Sequence, residues 1–305
     1  MCSKRGHVMA MTGTLLVMLA SLQWGLAGGF GSLLLQRDWT PEAVSFWRAL
    51  VGVGVMLVWL ALSWWRRGRP TVNRRMVMWA MLAGCGIAAN FTFYFISISE
   101  SSVAVAATLM YSAPIFVFVV SFITGAERPS LVQWLAMAVV MGGIVLLTGI
   151  YRADAGVVTP FGIAAGLLAG VGYAFFIFGF RFAALHGSAT AALPMALATA
   201  ALLILPLADF STLASVPASA DVSLFLLVGV LGGALSFFCY VVGVRYTLPT
   251  MASIVAMVEP VTATLFGLFV LDESLTLPQV GGMLLILGAV TGISLLKHRA
   301  ATASE

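Results

Sequence analysis

The chain has 305 residues, of which 61% are hydrophobic and only 9% charged, with a formal net charge of +4. A soluble domain carries roughly 25% charged and 45–50% apolar residues, so this composition excludes a water-facing globular surface and makes lipid the solvent. Ten apolar runs at about 20 residues each take up roughly 200 positions, which leaves no room for a soluble catalytic domain and removes the nucleic-acid reading of the positive charge.

The runs lack strict alternation, and about 20 residues of helix cross a bilayer core of about 30 Å, where barrel strands need about 9–11. Helices are therefore predicted at 10–34, 42–65, 76–98, 102–123, 131–150, 160–183, 189–208, 222–244, 250–271 and 278–297. The first run, behind Lys4 and Arg5, is too long for the apolar core of a signal peptide and reads as the first span. Pro41, Pro160 and Pro278 suit first helical turns. The breaks at 98–102 and 245–249 carry little punctuation beyond Glu100 in the first, and Arg245 and Pro249 in the second.

Basic residues set the orientation. With the N-terminus inside, Lys4, Arg5, Arg66, Arg67, Arg69, Arg74, Arg75, Arg128, Arg181, Arg245, Lys297 and Arg299 fall inside. Arg37 and Arg152 fall outside, and Arg48 lies within a span. This places both termini in the cytoplasm and requires an even number of spans.

A weak repeat appears at a shift of 146 residues, which lays 88–148 on 234–294. Phe91 meets Phe237, Tyr94 meets Tyr240, Pro114 meets Pro260, Glu127 meets Glu273 and Gln133 meets Gln279. The two units are 1–151 and 152–305, five spans each. Duplicating an odd number of spans inverts the second unit, and substrate sites then lie near the midplane between the halves.

Glu259 lies about ten residues into its span, about 15 Å deep. A carboxylate there is expensive and faces a partner or a wet cavity. It is a candidate proton acceptor or substrate contact, or else a neutral acid bonded across helices. Pro114 and Pro260 are expected to kink their spans, either to line a cavity or simply to pack. Arg48 is placed to pair with Glu259 or a substrate carboxylate, or to snorkel to the interface. Gln23, Trp24, Asn90, Tyr94, Tyr111, Tyr173 and Tyr240 are candidates for the polar and aromatic lining of a pocket, with packing or the interface belt as the alternative. Gly25 to Gly31 lies within a span with no strand before it, so it is not a nucleotide loop. The three cysteines and three histidines show no metal spacing, and no cofactor is expected.

Certain residues, in order, resemble the EamA-type branch of the drug/metabolite transporter superfamily. They are Gln23-Trp24-Gly25, Phe46-Trp47-Arg48, Pro114 with Glu127, Glu259-Pro260 running to Asp272-Glu273, and Gly281-Gly282 to Gly288. The resemblance implies a bacterial inner-membrane exporter of small metabolites, often amino acids. It also implies a central cavity lined by spans one, three, four, six, eight and nine. The expected partners are a small-molecule substrate and the bilayer, and a monomer suffices for this reading. Two other classes stay open: a membrane-embedded enzyme on lipid-like substrates, for which Asp272-Glu273 is the adjacent acid pair, and a non-transporting partner subunit.

Overall fold

The structure, a computed structural model, describes residues 2–101, 103–125, 127–152 and 158–302, and no strand occurs among them. Ten helices are long and apolar enough to cross a membrane. They are α1 (Cys2–Leu35), α2 (Pro41–Arg67), α3 (Arg74–Ser99), α4 (Val103–Ile123), α5 (Leu131–Thr148), α6 (Pro160–His186), α7 (Ala189–Ile204), α8 (Val222–Val244), α9 (Pro249–Val270) and α10 (Leu277–Thr302). Both sparsely punctuated breaks are present. Thr40, Asn73, Ser130 and Thr159 cap the starts of α2, α3, α5 and α6 with side-chain oxygens, so the short connections end in satisfied amides.

Three differences from the sequence reading have physical causes. α1 and α10 run beyond the apolar windows, to Cys2 and Thr302, because a hydropathy window ends where polar residues begin whereas a backbone helix need not, and Lys and Arg are good helix formers. The connection between α7 and α8 is not plain loop; it contains a one-turn helix, Phe210–Ser215, started by Asp209. The Ser211 hydroxyl and the Thr212 amide donate to Asp209 and hold its carboxyl at about 2. The prolines of α4 and α9 do more than bend them. α4 is interrupted at Tyr111–Ser112, between Val103–Met110 and Ala113–Ile123, and α9 at Met257, between Pro249–Ala256 and Val258–Val270. Proline lacks an N–H and crowds the turn before it, so each interruption sits two or three residues N-terminal to the ring. The 146-residue shift carries Tyr111 onto Met257.

Packing follows a regular scheme. α1 lies against α8 and α9, and α6 against α3 and α4; α2 packs on α7 and α8, α7 on α2 and α3, and α5 on α10. Exchanging every helix for the one five places away returns the same scheme. Backbones touch at the crossings. A Cβ on Gly86 would stand 2.7 Å from the Gly172 carbonyl where α3 meets α6, and one on Gly282 2.5 Å from the Gly143 carbonyl where α5 meets α10. Small residues allow this approach, which is where apolar helices gain association energy in lipid.

The two ends of the bundle differ in charge. At one end Asn73 donates to the His186 carbonyl at 2.5 Å, Gln133 to Thr250 at 3.2 Å, and Thr250 to Glu127 at 2.5 Å. Arg181 bridges the Val244 and Thr247 carbonyls there, the latter at 3.0 Å. Arg66 near the close of α2, Arg74 at the start of α3, and Arg69, Arg128 and Arg245 in the connections lie at this same end. At the other end Arg37 pairs with Asp221, Trp39 Nε1 donates to Asp221 at 2.8 Å, and Thr159 donates to Glu100 at 2.8 Å. The Trp39 and Arg37 bonds hold the Asp221 carboxyl below the usual range. The asymmetry expected from the sequence is therefore present as a grouping in space.

Candidate functional site

Irregular backbone gathers at mid-bundle. Besides the interruptions of α4 and α9, α8 carries a π-helical stretch over Gly229–Leu235. Such stretches inside helices free carbonyls and mark functional sites.

Glu259 is the second residue after the α9 interruption, halfway along the 22-residue span. Its Oε2 accepts a hydrogen bond from the Tyr173 hydroxyl of α6 at 3.0 Å. Arg48 approaches from α2. Its Nε donates to the Gly232 carbonyl in the π-helical stretch at 3.0 Å, and its guanidinium lies over the Phe91 ring, 5.1 Å from the centroid. A Cβ on Gly232 would stand 2.8 Å from Arg48 Nε and 2.6 Å from the Ala27 side chain, so the arginine reaches the carbonyl only because residue 232 is glycine. Arg48 thus turns inward instead of toward an interface.

Arg48 and Glu259 line one cavity of about 30 Å³, together with Trp24, Asn90, Tyr173 and Phe176. That volume holds one or two waters, at roughly 10–15 Å³ each. The two charges share the cavity but are not within the 4.0 Å of an ion pair. Asn90 donates to the Ala169 carbonyl at 3.0 Å, tying α3 to α6 beside the cavity.

Aromatic rings form the wall. Trp24 has its ring centroid 5.0 Å from Tyr240, 5.1 Å from Phe237 and 5.7 Å from Phe176. The Trp24 Nε1–H and the Tyr240 hydroxyl are buried without a hydrogen-bond partner among the described residues. An unsatisfied buried donor costs about 1–3 kcal/mol, a cost that a polar guest beside Trp24 would relieve. Tyr111 stands at the α4 interruption, and the Tyr94 ring on α3 packs against Phe95, centroids 5.6 Å apart; neither lines this cavity. Gln23 donates to the Leu19 carbonyl at 3.2 Å and lies 3.9 Å from Cys239 Sγ on α8; of the candidate lining residues, Trp24, Asn90, Tyr173 and Glu259 line the cavity, whereas Gln23 and Tyr240 do not. Pro114 and Pro260 stand in the first turns after the two interruptions. The acid pair Asp272-Glu273 ends α9, with Asp272 at φ 55° and the Glu273 amide donating to the Gly267 carbonyl at 3.1 Å.

The sequence reading did not name Phe91, Phe176, Phe237 or Gly232 as candidates for the site. For Phe176 a signal exists: Tyr173, Phe176 and Phe180 recur at three and four residues, which is one face of α6. Phe91 and Phe237 are a repeat pair, and both stand at the cavity. Gly232 becomes legible only through the π-helical backbone.

Ten apolar helices around a small, aromatic-walled cavity at mid-bundle define a polytopic membrane protein. The description "EamA-like transporter family" matches residues 11–149 and again 160–295, and the chain belongs to that family. It is 30% identical over 200 residues to an uncharacterized transporter of Archaeoglobus fulgidus, covering 65% of this chain and 69% of that one. It is 25% identical over 300 residues to the uncharacterized inner membrane transporter YicL of Salmonella typhimurium, covering 96% and 98% of the two chains. The Bacillus subtilis transporter YwfM is 24% identical over 297 residues, with 95% and 96% covered. A solved crystal structure superposes with a TM-score of 0.71 over 93% of this chain and 98% of its own, at 20% identity, a likeness of fold.

Proposed function

We propose that the protein exports small zwitterionic metabolites, amino acids foremost, across the bacterial inner membrane by alternating access. The observation that carries this reading is the separation of Arg48 from Glu259 within one cavity. A guanidinium and a carboxyl group, each held only by neutral partners and facing one space, complement the carboxylate and ammonium of an α-amino acid, and the rings of Trp24, Phe176 and Phe237 suit its side chain.

The units 1–151 and 152–305 act as inverted halves with both termini cytoplasmic. The symmetric packing scheme and the matched interruptions of α4 and α9 support this. The contracted cavity belongs to a closed state. The arginine-rich end is fastened by Arg181 and by the Gln133–Thr250–Glu127 chain. Toward the other end a groove of about 480 Å³ between α2, α3 and α7 shares Phe91 with the cavity, which supports Phe91 as the partition on the exit side.

Counterflow in proteoliposomes tests the reading. Vesicles loaded with a panel of unlabelled amino acids take up labelled ones above protein-free vesicles. No flux of any zwitterion by folded protein, with flux of an amine or organic acid instead, overturns the substrate class.

A further inference from the structure

At the arginine-rich end a second, larger cavity of about 590 Å³ opens between the ends of α2, α6 and α8 and the turn before α3. It is independent of the central site and shares no lining residue with it. Arg66, Arg69 and Arg245 line it with His186, and no carboxylate is among its lining residues. None of the three arginines forms an ion pair among the described residues. All three are exposed.

The cavity is amphipathic in a particular direction. Trp59, Leu62 and Leu185 form its apolar flank and are themselves 45–49% exposed, on the face the bundle turns to lipid. One turn further along α2, the exposed Trp64 and Trp65 mark the interfacial layer, where headgroups lie. Arg69 lies over the Trp64 ring at 5.8 Å, which holds its guanidinium at this level. Gly68 lines the cavity, and an added Cβ there would meet nothing within 4 Å. Guanidinium groups recognise phosphate oxygens through forked donors. A basic cavity between helix ends at the membrane surface fits an anionic headgroup.

We infer that this cavity binds the phosphodiester headgroup of an acidic phospholipid, with Arg66, Arg69 and Arg245 on the phosphate and an acyl chain along Trp59, Leu62 and Leu185. A soluble phosphate shares the headgroup's chemistry, but it would leave the exposed apolar flank without a partner. Which leaflet supplies the lipid follows the orientation proposed above; the binding itself does not depend on it or on the transported solute.

Native mass spectrometry of the detergent-purified full chain tests this. Phosphatidylglycerol and phosphatidylcholine with matched acyl chains are offered in turn, then inorganic phosphate as competitor. The expected result is preferential retention of phosphatidylglycerol. Arg66→Ala/Arg69→Ala/Arg245→Ala lowers that retention by roughly a hundredfold, the equivalent of about 1 kcal/mol per arginine. A control, Arg74→Ala/Arg75→Ala/Arg128→Ala, removes the same charge at the same end outside the cavity and keeps the preference. If the first variant fails to fold, Arg245→Gln alone lowers retention by about fivefold. Equal retention of both lipids, equal loss in the control, or displacement of the lipid by inorganic phosphate each overturns the proposal.

Discussion

Arg48 and Glu259 hold opposite charges apart across one small space, and each is steadied by a neutral partner: the Gly232 carbonyl for the cation, the Tyr173 hydroxyl for the anion. A neutral partner orients a charge without cancelling it, so each charge keeps most of its attraction for a guest. Removing one side of such an interaction costs about 2 kcal/mol, roughly thirtyfold in affinity. In counterflow with an amino acid, its decarboxylated amine and its deaminated acid as competitors, the parent prefers the zwitterion. Arg48→Gln loses the preference over the amine and Glu259→Gln the preference over the acid. Preferences that survive both changes remove these residues from the site. The same Glu259→Gln protein, assayed across pH, separates coupling from binding: a pH profile identical to the parent removes Glu259 as a proton carrier. Glu259 was legible in the sequence because a carboxylate at mid-span is costly wherever it points. Arg48 was ambiguous because its length permits snorkelling, and only the bare backbone at Gly232, one helix away, decides its direction.

At the scale of the helix, the sequence marks where a span bends but not how its backbone closes. Pro114 and Pro260 announced irregularity, whereas full interruption at Tyr111–Ser112 and Met257 depends on what packs against each break. For α9 that neighbour is α1. A Cβ on Gly25 would stand 2.5 Å from the Thr262 side chain and 2.6 Å from the Glu259 carbonyl, and the backbone half of that contact has little freedom to yield. Gly28, one turn along the same helix, has nothing within 4 Å of an added Cβ. Gly25→Ala is therefore expected to cost about 1–3 kcal/mol by overpacking. Gly28→Ala is expected to be neutral or to gain up to about 1 kcal/mol from helix propensity. Thermal unfolding of the two variants in detergent measures this, and equal midpoints would show that α1 does not press on the break. Composition alone gives the same letter at both positions. Hydropathy windows likewise find the ten spans but cannot see their polar ends, because those ends owe nothing to lipid.

For the whole molecule, the 146-residue repeat and the self-mapping packing scheme support the proposed pair of five-helix units. Alternating access then requires that the fastening at one end break when the other forms. At the arginine-rich end, Arg181 holds the close of α8 and the turn after it through the Val244 and Thr247 carbonyls, while Glu127 and Gln133 hold the start of α9 through Thr250. α6, α8 and α9 each also carry groups of the central cavity or its wall, so these bonds oppose opening toward that end. Arg181→Ala leaves two carbonyls without their donor and is expected to shift the population toward a state open there. A cysteine placed at Met251, which is 1% exposed just inside this fastening, reports it in a background with the native cysteines removed. Its labelling by a membrane-impermeant maleimide from the cytoplasmic side of inverted vesicles should rise severalfold in the Arg181→Ala protein. A cysteine at Asp38, beside the Arg37–Asp221 pair, should label only from the opposite side and at an unchanged rate. Labelling of position 38 from the cytoplasmic side would reverse the orientation. An unchanged rate at position 251 would mean that Arg181 braces the fold without gating it.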